Sequence, residues 1–159
     1  MAIQVGDRIP DATLNYLKDG VQSISTQDLF AGKTVVLFAV PGAFTPTCSA
    51  RHLPGYVDQF EALKAKGVER IVCMAVNDAF VMDAWRKSQN VPEDIWMVAD
   101  GNGNFAKALG LELDASKFGM GVRSQRFALV AKDGVVSQLL IEAPGEFKVS
   151  SAESVLAAL

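Results

Sequence analysis

The chain is poor in the residues that build metal centres and disulfide frameworks: its 159 residues include two cysteines and one histidine. The lone histidine, His52, leaves too few soft ligands for a protein-only metal site, so no metal or other cofactor is expected. Cys48 and Cys73 fit neither the C-x-x-C nor the zinc spacing, and two thiols make no disulfide scaffold in a chain of this size. A basic excess is also missing. The formal net charge of −3 gives no footprint for nucleic acid or an anionic membrane surface, so neither partner is expected. No apolar run is long enough to span a bilayer, and the first residues, Met-Ala-Ile-Gln-Val-Gly-Asp-Arg, have no charged segment leading into an apolar one. A cytoplasmic protein is the expectation. Repeats and low-complexity stretches are absent too.

Half the residues are hydrophobic and 21% are charged, the balance of a globular chain rather than a disordered one. One domain spanning 1–159, with a core large enough to need no staples, is expected. A weak alternation at Ala12, Leu14 and Tyr16 reads as an edge strand, turned by Asp19-Gly20 into a hairpin with 21–25. Thr26 reads as the N-cap of a short helix ending at Gly32. Continuous apolar runs at 34–40, 70–76 and 95–99, with helical patterns at 79–88 and 104–109, make βαβ units and therefore a parallel core. Residues 116–124 read as irregular and glycine-rich. Lys132-Asp133-Gly134 joins 126–131 and 135–142 in a hairpin, and Ser150 or Ser151 caps a last helix, with Glu153 placed as in a capping box. The expected architecture is α/β: a mixed sheet with a parallel core, a C-terminal antiparallel hairpin and flanking helices.

The chemistry concentrates in Thr34-Val-Val-Leu-Phe-Ala-Val-Pro41-Gly-Ala-Phe44-Thr45-Pro46-Thr-Cys48-Ser-Ala-Arg-His52-Leu-Pro54-Gly55. A buried strand ends at Pro41-Gly42, and the two prolines delay the next helix to about Thr47 or Cys48. That helix is expected to end before Gly67, with Pro54 kinking it near 50–53. Cys48 thus opens a helix outside the carboxyl end of a strand, where α/β folds place their sites. Helix N-termini favour anions, so the thiolate of Cys48 is the expected nucleophile. Thr45, three residues earlier, offers a hydroxyl to the sulfur or to a bound oxygen.

Pro41-x-x-x-Thr45-x-x-Cys48 matches the P-x-x-x-T-x-x-C signature of peroxiredoxins. The longer P-G-A-F-T-P-T-C-S with His52-Leu-Pro-Gly55 resembles their type II group, found in plants and bacteria and related to the fifth mammalian peroxiredoxin. The resemblance continues through Val76-Asn-Asp-Ala-Phe-Val-Met-Asp-Ala-Trp85, Gly121-Val-Arg-Ser-Gln-Arg-Phe127 and Gly145-Glu-Phe-Lys-Val-Ser-Ser151. It implies a thioredoxin-like fold and a thiol-dependent peroxidase that reduces hydrogen peroxide and alkyl hydroperoxides through a Cys48 sulfenic acid. It also implies that Thr45 and Arg123 hold the peroxide, that Pro41 shields the sulfur, and that Phe44 lines the substrate site. The resolving C-terminal cysteine of the mammalian relative has no counterpart here. An external reductant is expected, either glutaredoxin with glutathione or thioredoxin. Phe44, Phe80 and Phe118 are candidates for an exposed apolar patch, and relatives imply a homodimer there.

Three further residues need weighing. Arg126 reads as the start of a strand, pairing with a surface carboxylate. His52, four residues along the same helix as Cys48, reads as structural, making a hydrogen bond near the Pro54 kink. Cys73, within Ile-Val-Cys-Met-Ala, reads as a buried and inert thiol, although relatives leave it open as a second partner for Cys48. Two other activities compete. One is a thiol–disulfide oxidoreductase on the same fold, against which position 45 holds Thr where C-x-x-C needs Cys. The other is a redox switch in which oxidation of Cys48 alters a binding surface.

Overall fold

The computed structural model describes residues 2–159; Met1, the first residue of the expected domain, lies outside them. Its centre is strand β3 (Thr34–Val40), buried at every position but the first. It pairs in parallel with β4 (Arg70–Ala75) and antiparallel with β8 (Phe127–Lys132). A strand covered on both faces needs apolar residues throughout, which is why its sequence runs without alternation. The full sheet has seven strands in the order β2 (Val21–Ser25), β1 (Thr13–Leu17), β5 (Ile95–Ala99), β4, β3, β8 and β9 (Val135–Ile141). Strands β5, β4 and β3 are parallel, and both flanks are antiparallel hairpins.

The sheet divides the apolar interior in two. Val36, Phe38 and Val40 point into one core with Cys48, Tyr56, Cys73 and Trp85. Val35, Leu37 and Ala39 point into the other with Phe30, Phe105 and Phe127. This is the period-two alternation of a strand, carried here by apolar residues on both sides. The β8–β9 hairpin closes through Asp133 and Gly134, at φ 49° and 79°, the two left-handed positions of a type I′ turn. Flanking helices are α1 (Thr26–Phe30), α2 (Leu53–Asp58), α3 (Phe60–Ala65), α4 (Ala79–Ser88), α5 (Asn104–Leu109) and α6 (Ala152–Ala158).

Several local expectations are corrected. Ser25, not Thr26, caps α1, its side chain accepting from the Asp28 amide. The Thr26 hydroxyl is occupied elsewhere, donating to Pro10 O and accepting from Ala12 N. Ser151 caps α6 through the Ser154 amide, and Ser154 rather than Glu153 stands at the third helical position. The segment taken as irregular contains one strand of a small ribbon, β6 (Glu112–Asp114) against β7 (Val122–Ser124). Three-residue strands carry too little alternation to be seen in sequence. The long helix expected up to Gly67 breaks at Gln59, whose φ −95° and ψ 9° separate α2 from α3. No helix among the described residues is long and apolar enough to cross a membrane.

Candidate active site

The carboxyl end of β3 delivers the chain into the turn at 41–45. Gly42 lies in close quarters: a Cβ would come within 3.1 Å of Arg123 Nη1 and 3.2 Å of Met120 Cε and Thr45 Cγ2, so these side chains would have to give by a few tenths of an ångström. Phe44, 53% exposed, adopts a left-handed φ of 64°, a backbone cost of about 1–2 kcal/mol. The turn is braced from both sides, by the Ala43 amide donating to Asn77 Oδ1 and by the Thr45 hydroxyl donating to Gly42 O at 2.7 Å.

The helix begins at Pro46, earlier than expected. Proline is suited to a first helical position, where no N–H is needed and its φ is already set. Cys48 is then the third helical residue, and its amide is among the four that helix geometry leaves without an intrahelical acceptor. Residues Cys48–His52 form a π-helical turn, closed by the Leu53 amide on Cys48 O. Pro54 has no N–H to give Ala50 and its ring crowds that carbonyl; the chain accommodates it by widening one turn, the form its expected kink takes.

Cys48 is wholly buried, and its sulfur accepts a hydrogen bond from Arg126 Nη2 at 3.0 Å. Arg126 also donates from Nη1 to His52 Nδ1 at 2.8 Å, and His52 Nε2 lies 3.0 Å from Ser150 O. A carbonyl only accepts and a guanidinium only donates, so the imidazole has one consistent form: neutral, with its proton on Nε2. Burial, with the Arg126 charge beside it, lowers the His52 pKa to about 3, which keeps that form in place. The Tyr56 hydroxyl donates to the same Ser150 carbonyl at 2.8 Å. Burial holds its pKa well above the ordinary phenol value, so it stays a donor. Phe38 stacks on Tyr56 at 3.9 Å, and Phe147 packs edge-on to His52 at 4.9 Å.

No carboxylate among the described residues pairs with Arg126 within 4.0 Å. Its charge is therefore directed at the sulfur. A hydrogen bond from a charged donor contributes about 1.5–3 kcal/mol, against about 0.3–1 kcal/mol for a helix terminus. The guanidinium is thus the larger influence on an anionic sulfur.

The arginine on Cys48 is Arg126 and not Arg123. Arg123 Nε donates to Met120 O at 2.9 Å and its Nη1 lies 3.5 Å from Pro41 O, so its fork braces the ribbon and the turn. Arg126 makes no surface ion pair; the antiparallel register sets Phe127 opposite Ala39, which puts the residue before it beside the end of β3. That pairing is the signal that would have chosen between the two arginines, and it is invisible without the sheet. Thr45 and Pro41 flank the cysteine turn, both half-buried, with the Thr45 hydroxyl committed to Gly42 rather than to sulfur. His52 holds Arg126 as well as Ser150, a part in the site that its reading as structural had missed. Ser150 and Glu142 were not singled out for the site at all. Cys73 lies on β4 opposite Phe38, wholly buried in the same core as Cys48. Burial pushes its thiol pKa well up, and Cys48 adds in the same direction. Among the described residues no group of three or more His, Cys, Asp or Glu could hold a metal ion.

A cysteine in the first helical turn after a central parallel strand, with a guanidinium on its sulfur, defines a thiol enzyme of thioredoxin-like fold. Comparison with known proteins narrows the class. The Redoxin family model matches residues 4–156. The chain is 50% identical to peroxiredoxin-2B of Arabidopsis thaliana, covering 99% of this chain and 98% of that protein. It is 52% identical to peroxiredoxin-2C of Oryza sativa, with the same coverage. Among solved structures, reduced Prx3 of Vibrio vulnificus in complex with hydrogen peroxide superposes with a TM-score of 0.95 at 55% identity, over 98% of each chain. Peroxiredoxin 5 of Alvinella pompejana gives 0.88 at 36%, over 98% of this chain and 97% of that one. The chain belongs to the Redoxin family, among its type II peroxiredoxins. It is a thiol-dependent peroxidase.

Proposed function

We propose that Cys48 is the reacting thiol and that it reduces hydrogen peroxide and alkyl hydroperoxides. The observation that carries this reading is the Arg126 Nη2 to Cys48 Sγ hydrogen bond of 3.0 Å. The Cys48 thiol gives up its proton to solvent, and the thiolate attacks one peroxide oxygen. An S–O bond forms as the O–O bond breaks, and the departing oxygen takes a proton and leaves as water or an alcohol. Sulfur is oxidised by two electrons to the sulfenic acid. Negative charge builds on the departing oxygen, so the donors that matter are the Arg126 fork and the amides of the first helical turn. The hydrogen peroxide complex of the Vibrio vulnificus relative supports peroxide as the substrate.

Reduction of the sulfenic acid is assigned to an external thiol, glutathione with glutaredoxin or thioredoxin. The two cysteines support this: both are free, and Cys73 is buried in a sheet with its thiol form favoured. A first thiol displaces water to form a mixed disulfide, and a second thiol releases Cys48. Free thiols suit a reducing compartment, which supports residence in the cytoplasm.

A homodimer is proposed through the apolar rim of the site. Phe44, Phe80, Phe118 and Val122 are 53–72% exposed. The Ala43 amide's hydrogen bond to Asn77 Oδ1 joins the loops that lead to Phe44 and Phe80, and Met120 lies near Gly42. An apolar patch of this kind on a water-soluble surface marks an interface.

Rapid mixing with hydrogen peroxide tests the reading. Sulfenic acid should form at Cys48, and replacing Cys48 with Ala should abolish it. Steady-state turnover of Cys73→Ala should persist with the external thiol, and pairing each reductant in turn identifies the donor. Sulfenic acid formation elsewhere in the chain would contradict the proposal. Sedimentation of Phe118→Glu, expected to be monomeric where the parent is dimeric, tests the interface.

A further inference from the structure

We infer that Glu142 is a positioning residue for the reaction, orienting Arg126 on Cys48 through the Ser150 carbonyl and His52. Glu142 follows β9, is 6% exposed, and makes no contact with the sulfur. Its carboxylate is fully engaged. It accepts from the amides of Lys148 (2.9 Å to each oxygen), Val149 (2.8 Å) and Ser150 (2.8 Å), and from the Ser150 hydroxyl at 2.7 Å. Burial alone would raise its pKa, but these hydrogen bonds hold it below the ordinary carboxylate range, so it is charged.

The effect of this cage is directional. With its amide on Glu142, Ser150 turns its carbonyl inward, where His52 Nε2 and the Tyr56 hydroxyl meet it. That carbonyl selects the tautomer of His52, which leaves Nδ1 as an acceptor for Arg126. The main chain closes the circuit, because the Glu142 amide donates to Arg126 O at 3.0 Å. One residue therefore fixes the arginine at both ends, by its backbone directly and at its fork through Ser150 and His52. A guanidinium that serves a transition state must be held in place beforehand, and such fixing is the work of an outer layer of partners.

The reading rests on Cys48 being the reacting thiol; the imidazole measurement below does not, so the two can fail separately. His52 is the only histidine in the chain, so its ring nitrogens give an unambiguous ¹⁵N spectrum. In the unmodified protein that spectrum should show the Nε2–H tautomer alone. In Glu142→Gln, which keeps the shape but loses the charge and one acceptor oxygen, a mixture of tautomers should appear. Sulfenic acid formation should slow about tenfold. The double variant with His52→Phe should be no slower than His52→Phe alone, since both act on one path. Should Glu142→Gln fail to fold, Glu142→Asp carries the same test, its carboxylate being one methylene short of the amides. A wild-type rate in the substituted protein, an undisturbed Nε2–H tautomer, or slowing that adds to that of His52→Phe would overturn the inference.

Discussion

Cys48 and Cys73 lie in one apolar core, and neither has any exposed surface. Burial therefore does not distinguish the thiol proposed to react from its neighbour. What differs is the polar equipment around each. Cys73 sits mid-strand, where its backbone groups belong to the sheet, and its pKa is pushed up by burial. Cys48 sits at a helix start and accepts a hydrogen bond from Arg126 Nη2 at 3.0 Å. On the proposed reading, the comparison teaches that a buried sulfur becomes a nucleophile through a fixed donor, and that the donor needs support of its own.

The largest effect that could break this contrast comes from deleting each sulfur. Cys48→Ala should lose all peroxide-dependent turnover, whereas Cys73→Ala should keep most of it, as read by peroxide consumption with an external thiol. Loss of turnover in Cys73→Ala, with folding intact, would make the second cysteine a participant. Cys73→Ala removes a packed core atom and should cost about 1 kcal/mol in denaturant unfolding.

A pH experiment sharpens the role of the support. The folded-state pKa of His52, about 3, lies below its ordinary 6.5. On acidification below 6.5 the unfolded chain takes up a proton that the folded chain refuses. Its contribution is complete above pH 6.5 and declines as pH falls towards 3. Because there is one histidine, the loss between pH 6.5 and pH 5 should be on the order of 1–2 kcal/mol and should vanish in His52→Phe. Equal slopes in the two proteins would mean that His52 is not held neutral. The smallest expected change is in Arg123→Gln, which breaks contacts with the Met120 and Pro41 carbonyls and should slow sulfenic acid formation by less than about tenfold.

Much of the frame was legible in the sequence because continuous apolar runs bounded by turns have few other solutions. The bounds of β3, β5, α4 and α5 were read directly from such runs and their caps. The cysteine's place at a helix start was legible for the same reason, since a strand, a stiff turn and a helix start are all local. Partners that arrive from far along the chain were not. Arg126 is 78 residues from Cys48 and Ser150 is 98 from His52. Their meeting depends on the β3–β8 register and on the fold of the segment after β9, neither of which leaves a periodic trace. Arg123 was the choice implied by the family resemblance; the sheet brings Arg126 to the sulfur instead.

The most direct test is stopped-flow kinetics of sulfenic acid formation in Arg126→Gln and Arg123→Gln side by side. The Trp85 indole, which donates to Ser49 Oγ beside Cys48, serves as the fluorescent reporter. Loss of the Arg126 donor should slow the reaction by about 10²–10³, and loss of Arg123 far less. Comparable rates in the two variants, or the reverse order, would contradict the assignment of Arg126 as the group that equips Cys48.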